Sequence, residues 1–186
     1  MAAAGVDIQL LSSQESEDAA LVQQVTDLVG DVYRVAEDGM WIDGAVRTTV
    51  ADVTRMIRAR ELAVARLDGR IAGAVQIQRL DATTGGFGML AAHPAHRGLG
   101  IGRGLMAFAE RTSRDAGLGS MQLELLVPRD WTHPVKVFLA AWYARSGYAL
   151  VRTGTIEQAY PHLAPLLATP CDLQIHRKEL AGAPGA

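Results

Sequence analysis

The chain has one cysteine, Cys171, so no disulfide can form within it, and a reducing compartment fits that usage. No catalytic pattern surrounds Cys171, which reads as a small buried apolar residue rather than a nucleophile. Neither sign of charge is in excess. Eighteen Lys and Arg against 20 Asp and Glu give a net charge of −2, with no electrostatic footprint for nucleic acid. No apolar run is long enough to span a bilayer, and Met1-Ala2-Ala3-Ala4-Gly5 has neither a basic nor an apolar leader region. A cytoplasmic protein without membrane contact is therefore expected. No His, Cys, Asp and Glu cluster has metal-ligand spacing, so no metal is expected, and no internal repeat is visible.

What is present is enough apolar material for a sizeable core: 186 residues, 49% hydrophobic and 20% charged. The expectation is a single domain over 1–180, followed by a frayed tail of Ala, Gly and Pro at 181–186. Val6 to Leu11 reads as a first strand. An apolar stripe of Leu21, Val22, Val25, Leu28, Val29 and Val32 predicts a helix from Asp18. Thr48 or Thr49 caps a second helix carrying Val50, Val53, Met56 and Ile57. Glu61–Leu67, the turn Asp68-Gly69 and Ile71–Leu80 make a hairpin, and a polar turn from Asp81 to Gly86 leads to a short strand at Phe87–Ala92.

That strand runs into Gly98, Gly100, Gly102 and Gly104, and then into a helical pattern of Ile101, Leu105, Phe108, Ala109 and Thr112. A strand, a glycine loop and a helix N-terminus form an anion site, because backbone without Cβ atoms admits a ligand to unpaired N–H groups. The run is not a P-loop, since no Gly-Lys-Ser/Thr follows. Nor is it the dinucleotide fingerprint, whose third glycine would fall on Arg103 or Leu105. After the central helix, Gly117-Leu118-Gly119 signals a C-cap and Met121–Val127 a strand broken by Pro128. Pro134 opens a helix with Val135, Phe138, Leu139 and Trp142 on one face, ended by Gly147. Ala149–Ile156 and Asp172–Arg177 read as closing strands, with a loop through Tyr160–Leu167 between them.

The phrase that does fit is Arg-x-x-Gly-x-Gly, filled by Arg97, Gly100 and Gly102. With Met89–Gly102 around it, it resembles the coenzyme A loop of the GCN5-related N-acetyltransferases (GNAT). The element order of nearly the whole chain is similar to that family's. The resemblance implies an α/β (α+β) fold with a mixed, largely antiparallel sheet of about seven strands flanked by helices. It also implies acetyl-CoA as co-substrate, with Arg97, Gly98, Leu99, Gly100, Ile101 and Gly102 around the pyrophosphate. Leu90, Ala91 and Ala92 would offer backbone groups to the pantetheine arm and the thioester carbonyl.

Acetyl transfer to an amine also needs a proton for the departing thiolate and a base for the amine. Trp142-Tyr143, followed by Gly147-Tyr148, resembles the family segment whose tyrosine is the acid, which makes Tyr143 the candidate. A phenol with a pKa of about 10 remains a donor at neutral pH; plain core packing is the alternative account. Glu124, amid Leu123, Leu125 and Leu126, matches a strand position where some members carry a base, although strand alternation alone would also expose it. The chain departs from the family at Pro128–Pro134, a longer connection in which His133 is a lone histidine. Where many members have an asparagine, seven residues before Tyr143, stands Lys136, read as a solvated lysine or a phosphate contact.

Glu37, Asp38 and Asp43 could attract an ammonium group, with Trp41 and Tyr160 as walls. The implied function is an acetyl-CoA-dependent N-acetyltransferase moving an acetyl group to a primary amine of a small molecule or peptide. The alternative is a non-catalytic coenzyme A-binding sensor of the same fold. A nucleotide-binding protein is disfavoured by the glycine spacing. The identity of the amine, and whether the chain dimerises, stay open at this point.

Overall fold

The computed structural model of the protein describes residues 5–180, so the tail expected at 181–186 lies outside the described residues. In chain order the elements are β1 (Val6–Leu10), α1 (Ala19–Ala36), α2 (Val50–Arg58), β2 (Leu62–Leu67), β3 (Arg70–Arg79), β4 (Thr84–Ala92), α3 (Ile101–Asp115), β5 (Ser120–Pro128), α4 (Pro134–Arg145), β6 (Ala149–Thr155), α5 (Ile156–Ala159) and β7 (Cys171–Glu179). Short 3₁₀ turns lie at Ser13–Glu17, Pro94–His96 and Ala164–Leu166. The strands form one seven-stranded sheet in the order β1-β2-β3-β4-β5-β7-β6. Among the described residues, only the β4–β5 pairing is parallel. This is the mixed, largely antiparallel architecture that the family resemblance implies.

Strand alternation sends side chains to two cores. On one face Leu62 and Val64 of β2 join Leu21, Val22, Val25 and Val29 of α1 and Val53, Met56 and Ile57 of α2. On the other, Ala63 and Ala65 join Ile101, Leu105, Met106 and Ala109 of α3. The caps are as the residue types demand. Asp18 accepts from the Leu21 N–H at the start of α1, and Thr49 and Asp52 form a reciprocal capping box on α2.

Three local expectations are corrected. β4 begins at Thr84, not after Gly86, because Gly85 and Gly86 pair with Met121 and Gln122 of β5. A Cβ on Gly85 would come within 2.5 Å of Ser113 Oγ, so that glycine serves close packing rather than a turn. Ile156 leaves the closing strand and starts the single-turn helix α5. In α4 Phe138 is 55% exposed, and the buried residues are Lys136 and Tyr143. The helix is rotated from the purely apolar expectation because Lys136 has a buried carboxylate partner and the Tyr143 ring packs on Phe87.

The feature that positions the site is a parting in mid-sheet. β4 and β5 pair only at Thr84–Ser120, Gly85–Met121 and Gly86–Gln122. Beyond that point each follows its outer neighbour, β4 along β3 to Ala92 and β5 along β7 to Pro128. Gln76 faces Gly88 and Ala74 faces Ala91, so Met89 and Leu90 together stand opposite Val75. This is a β-bulge, with Met89 at φ 51°, and it bends β4 away from β5.

Candidate active site

At one end of the parting lies the glycine loop. Backbone pairing stops where the Leu99 N–H donates to the His96 carbonyl, and resumes where the Gly104 N–H donates to the Gly100 carbonyl. Between them lie the opening N–H groups of α3, which have no helical acceptor. Gly98 and Gly100 have φ of +89° and +76°, and a Cβ on either would meet nothing within 4 Å. The loop is therefore an open cradle of donors at the positive end of a fifteen-residue helix, with Arg97, Gly98, Leu99 and Gly100 exposed. Ile101 is buried and anchors the helix in the core, and Gly102 lies 3.7 Å (Cβ position) from the Trp142 ring of α4.

The parting opens into a cavity of about 640 Å³ whose walls include Gly88, Met89, Leu90, Glu124, Tyr143 and Tyr160. Leu90 lies on this wall, whereas Ala91 is buried in the α1–α2 core and Ala92 is half-buried against the α3 side. Tyr143 is 7% exposed, its ring 6.1 Å from that of Phe87 and 5.0 Å from that of Trp142. Its hydroxyl makes no hydrogen bond to a described residue. Burial, with a smaller contribution from the nearby Tyr33, pushes its pKa well above the ordinary phenol value, so the proton stays on the oxygen.

Across the cavity Glu124 is exposed, and its Oε2 accepts a 2.5 Å hydrogen bond from the Tyr160 hydroxyl. Burial and this bond raise the Tyr160 pKa. The sequence left open whether Glu124 is simply solvated or part of a site, and gave no sign of its Tyr160 partner. Alternation explains the orientation: Leu123 and Leu125 pack in the α3 core, so Glu124 turns to the opposite side.

Glu37 does not offer a free negative charge. It is 5% exposed, and its Oε1 accepts from Lys136 Nζ at 2.9 Å. Its Oε2 accepts from Trp41 Nε1 at 2.7 Å and lies 2.8 Å from Arg47 Nε. Burial works to raise the Glu37 pKa, but Lys136 and Arg47 outweigh it and hold the carboxyl below its ordinary value. Lys136, only 4% exposed, is consequently neither a surface lysine nor a phosphate contact. Asp38 and Asp43 are exposed, apart from the cavity wall. His133 is buried, and its Nδ1 accepts from the Val135 N–H as the cap of α4, which accounts for it without chemistry. Cys171 is buried with its thiol pushed up to about 11 by burial, unsuited to nucleophilic work.

The residues that the sequence did not bring forward are Arg47 and Tyr33, both on the cavity wall. Arg47 lies over the Trp41 ring at 4.4 Å and near the Tyr33 ring at 5.6 Å. No spacing signals this cluster, since Glu37 and Lys136 are 99 residues apart and only the fold unites them. A clasp joins the connections that follow α1 and α5. The Ile42 N–H donates to the Leu166 carbonyl at 2.9 Å, and the Ala168 N–H donates to the Met40 carbonyl at 3.0 Å. Trp131, from the long connection before α4, donates from Nε1 to Thr169 Oγ1 at 3.2 Å and covers Gly39.

A mixed sheet parted beside a bulge, with a glycine-capped helix at the head of the parting, defines the architecture of the acyl-CoA N-acyltransferases. A model of the acetyltransferase (GNAT) domain matches residues 58–150, half of the chain, and the chain belongs to that family. No curated protein matches it by sequence. Solved structures share the fold at low identity. An aminoglycoside 6′-N-acetyltransferase complexed with coenzyme A is 14% identical over 96% of this chain and 99% of its own, with a TM-score of 0.70. The PaiA N-acetyltransferase of Thermoplasma acidophilum, in complex with coenzyme A, is 14% identical over 94% of this chain and 98% of its own, with a TM-score of 0.62. N-acetylglutamate synthase of Neisseria gonorrhoeae, complexed with coenzyme A and N-acetylglutamate, is 16% identical over 95% of this chain, with a TM-score of 0.63. The present chain spans 35% of that protein's length.

Proposed function

We propose that the protein is an acetyl-CoA-dependent N-acetyltransferase acting on a primary amine. The observation that carries this reading is the parting of β4 from β5 with the Tyr143 hydroxyl on its wall and the donor cradle of α3 at its head. The residues present fit coenzyme A. The first-turn N–H groups of α3 and the open Gly98 and Gly100 positions suit a pyrophosphate. The unpaired strand edges suit the amide groups of a pantetheine arm. Bound acetyl-CoA would supply the activated carbonyl and a thiolate as leaving group.

In this reading the chain's own groups do four things. Arg97, Gly98, Leu99, Gly100, Ile101 and Gly102 hold the phosphates. Backbone groups along Leu90, Ala91 and Ala92 of β4 hold the arm and stabilise negative charge on the carbonyl oxygen as the amine attacks. Tyr143 Oη, kept protonated by burial, gives its proton to the departing sulfur. Glu124, whose Oε2 is oriented by Tyr160, takes a proton from the amine directly or through a water.

The test is a coenzyme A titration followed by turnover. Coenzyme A should raise the melting temperature, by an amount equivalent to about 2.7 kcal/mol at a hundredfold excess over its dissociation constant. Desulfo-coenzyme A should do nearly as well, and thiol release from acetyl-CoA should depend on an added amine. A shift by adenosine equal to that by coenzyme A would defeat the cradle assignment. Coenzyme A binding without turnover across a broad amine panel would favour the non-catalytic sensor reading.

A further inference from the structure

We propose that the acceptor is an amine that also carries an oxyanion, a carboxylate or a phosphate, and that Arg47 is the residue that binds that group. This rests on the acetyltransfer reading and specifies its substrate class. Glu37 is already answered by the buried Lys136 ammonium at 2.9 Å and by Trp41 Nε1 at 2.7 Å. Arg47 therefore brings a surplus positive charge to the cluster. Neither of the other acids on the cavity wall pairs with it: Asp52 caps α2 and faces Arg55 at 3.9 Å, and Glu124 accepts from the Tyr160 hydroxyl.

The guanidinium is held on three sides and free on the fourth. Nε lies 2.8 Å from Glu37 Oε2, one face stacks on Trp41, and Tyr33 borders it at 5.6 Å. The two terminal nitrogens make no hydrogen bond to a described residue, although the side chain is only 26% exposed. A planar fork with its root fixed and its outer edge free matches the two oxygens of a carboxylate or phosphate. The adjacent Thr48 borders the same cavity with its hydroxyl buried and unpartnered, a second polar group that the protein leaves unanswered there. The Arg47 charge also acts on the Tyr160 phenol, so the cationic pole at Arg47 and the anionic pole at Glu124 lie within electrostatic reach of each other. A cavity with one pole of each sign suits an acceptor with an ammonium and an oxyanion, not a simple cationic amine.

The experiment compares free amino acids, aminoalkyl phosphates, and neutral carboxamides of the same amino acids. Each is titrated calorimetrically into coenzyme A-loaded protein and assayed for thiol release from acetyl-CoA. Members of one oxyanion class should bind and react about tenfold to a hundredfold better than their neutral counterparts. The better class identifies carboxylate or phosphate. In Arg47→Met the advantage should vanish while the coenzyme A melting shift is kept. Arg47→Lys, which retains charge without the fork, should keep part of it and guards against misfolding of the first variant. Equal or better use of the carboxamides, no binding of either oxyanion class to coenzyme A-loaded protein, or an advantage that survives Arg47→Met would each overturn the assignment. Failure to bind coenzyme A at all would strike the acetyltransfer reading instead.

Discussion

Replacing Tyr143 by Phe should separate chemistry from stability more cleanly than substitution at most buried tyrosines. The ring contacts with Phe87, Trp142 and Tyr148 are retained. The residue is 7% exposed and its hydroxyl has no hydrogen-bond partner among the described residues, so its removal orphans nothing. The hydroxyl is not among the buried side-chain atoms left unpaired, so its loss should change stability by less than about 1 kcal/mol. In a domain of this size that limit corresponds to about 2–4 °C, so the variant should melt within a few degrees of the wild-type temperature. Turnover should fall by about 10²-fold, or about 2.7 kcal/mol of barrier, the contribution of one positioned acid. The assay is a single-turnover quench with both substrates saturating, because slow product release would hide a chemical defect. Since burial holds the phenol protonated, the wild-type pH–rate profile should contain no limb between about pH 6 and 9 that disappears in Tyr143→Phe. A wild-type single-turnover rate in the folded variant would refute the acid role. A melting temperature lowered by several degrees would refute the claim that the hydroxyl has no structural duty.

Lys136→Met should destabilise the protein towards the lower end of the roughly 3–5 kcal/mol seen for breaking a buried ion pair, because Arg47 still faces Glu37. Urea unfolding of Lys136→Met combined with Glu37→Gln should recover part of that loss; no recovery would mean that the ion pair is not its source. The Glu37 pKa is lower in the fold than its ordinary 4.5, so it contributes stability above that value that is lost as the pH falls through the folded value. Unfolding at stepped pH should therefore show an acid limb that flattens in Glu37→Gln. Glu124→Gln keeps an acceptor for Tyr160 but loses basicity, and should lower kcat/KM by about 10²-fold with little change in coenzyme A binding. Gly100→Ala should cost about 1 kcal/mol, since φ is +76° there, and should also shrink the coenzyme A melting shift.

The order of elements along the chain was accessible because most strands carry an alternation or turn signal, as in the Asp68-Gly69 hairpin, and because the glycine phrase fixes which strand precedes α3; the placement of β7 between β5 and β6 was not. The donor cradle was accessible for the same reason: it is local, lying within a few residues of Arg97. Leu90, Ala91 and Ala92 were legible as a strand, but not the bulge that sends only Leu90 to the cavity wall, since a bulge is set by register against β3. The acceptor side was largely hidden. Lys136 on an otherwise apolar helix looks like a solvated residue until α1 brings Glu37 to it. Phe138, the most apolar choice for the inner face of α4, is displaced outward by that ion pair. Periodicity assumes that apolar groups turn inward, and fails where a buried charge is compensated from a distant element.

The clasp has a consequence for engineering. The backbone at Met40–Ile42 is stitched to that at Leu166–Ala168, and Trp131 is tied to Thr169 while lying against Gly39. The three connections therefore form one interlocked unit rather than three independent loops. A graft that exchanges only the α1–α2 connection would strand the carbonyls and amides of its partner and lift the indole off its seat. Recombination of this protein with relatives should accordingly move all three segments as a block. Libraries that diversify a single one of them will mostly sample damage to the other two.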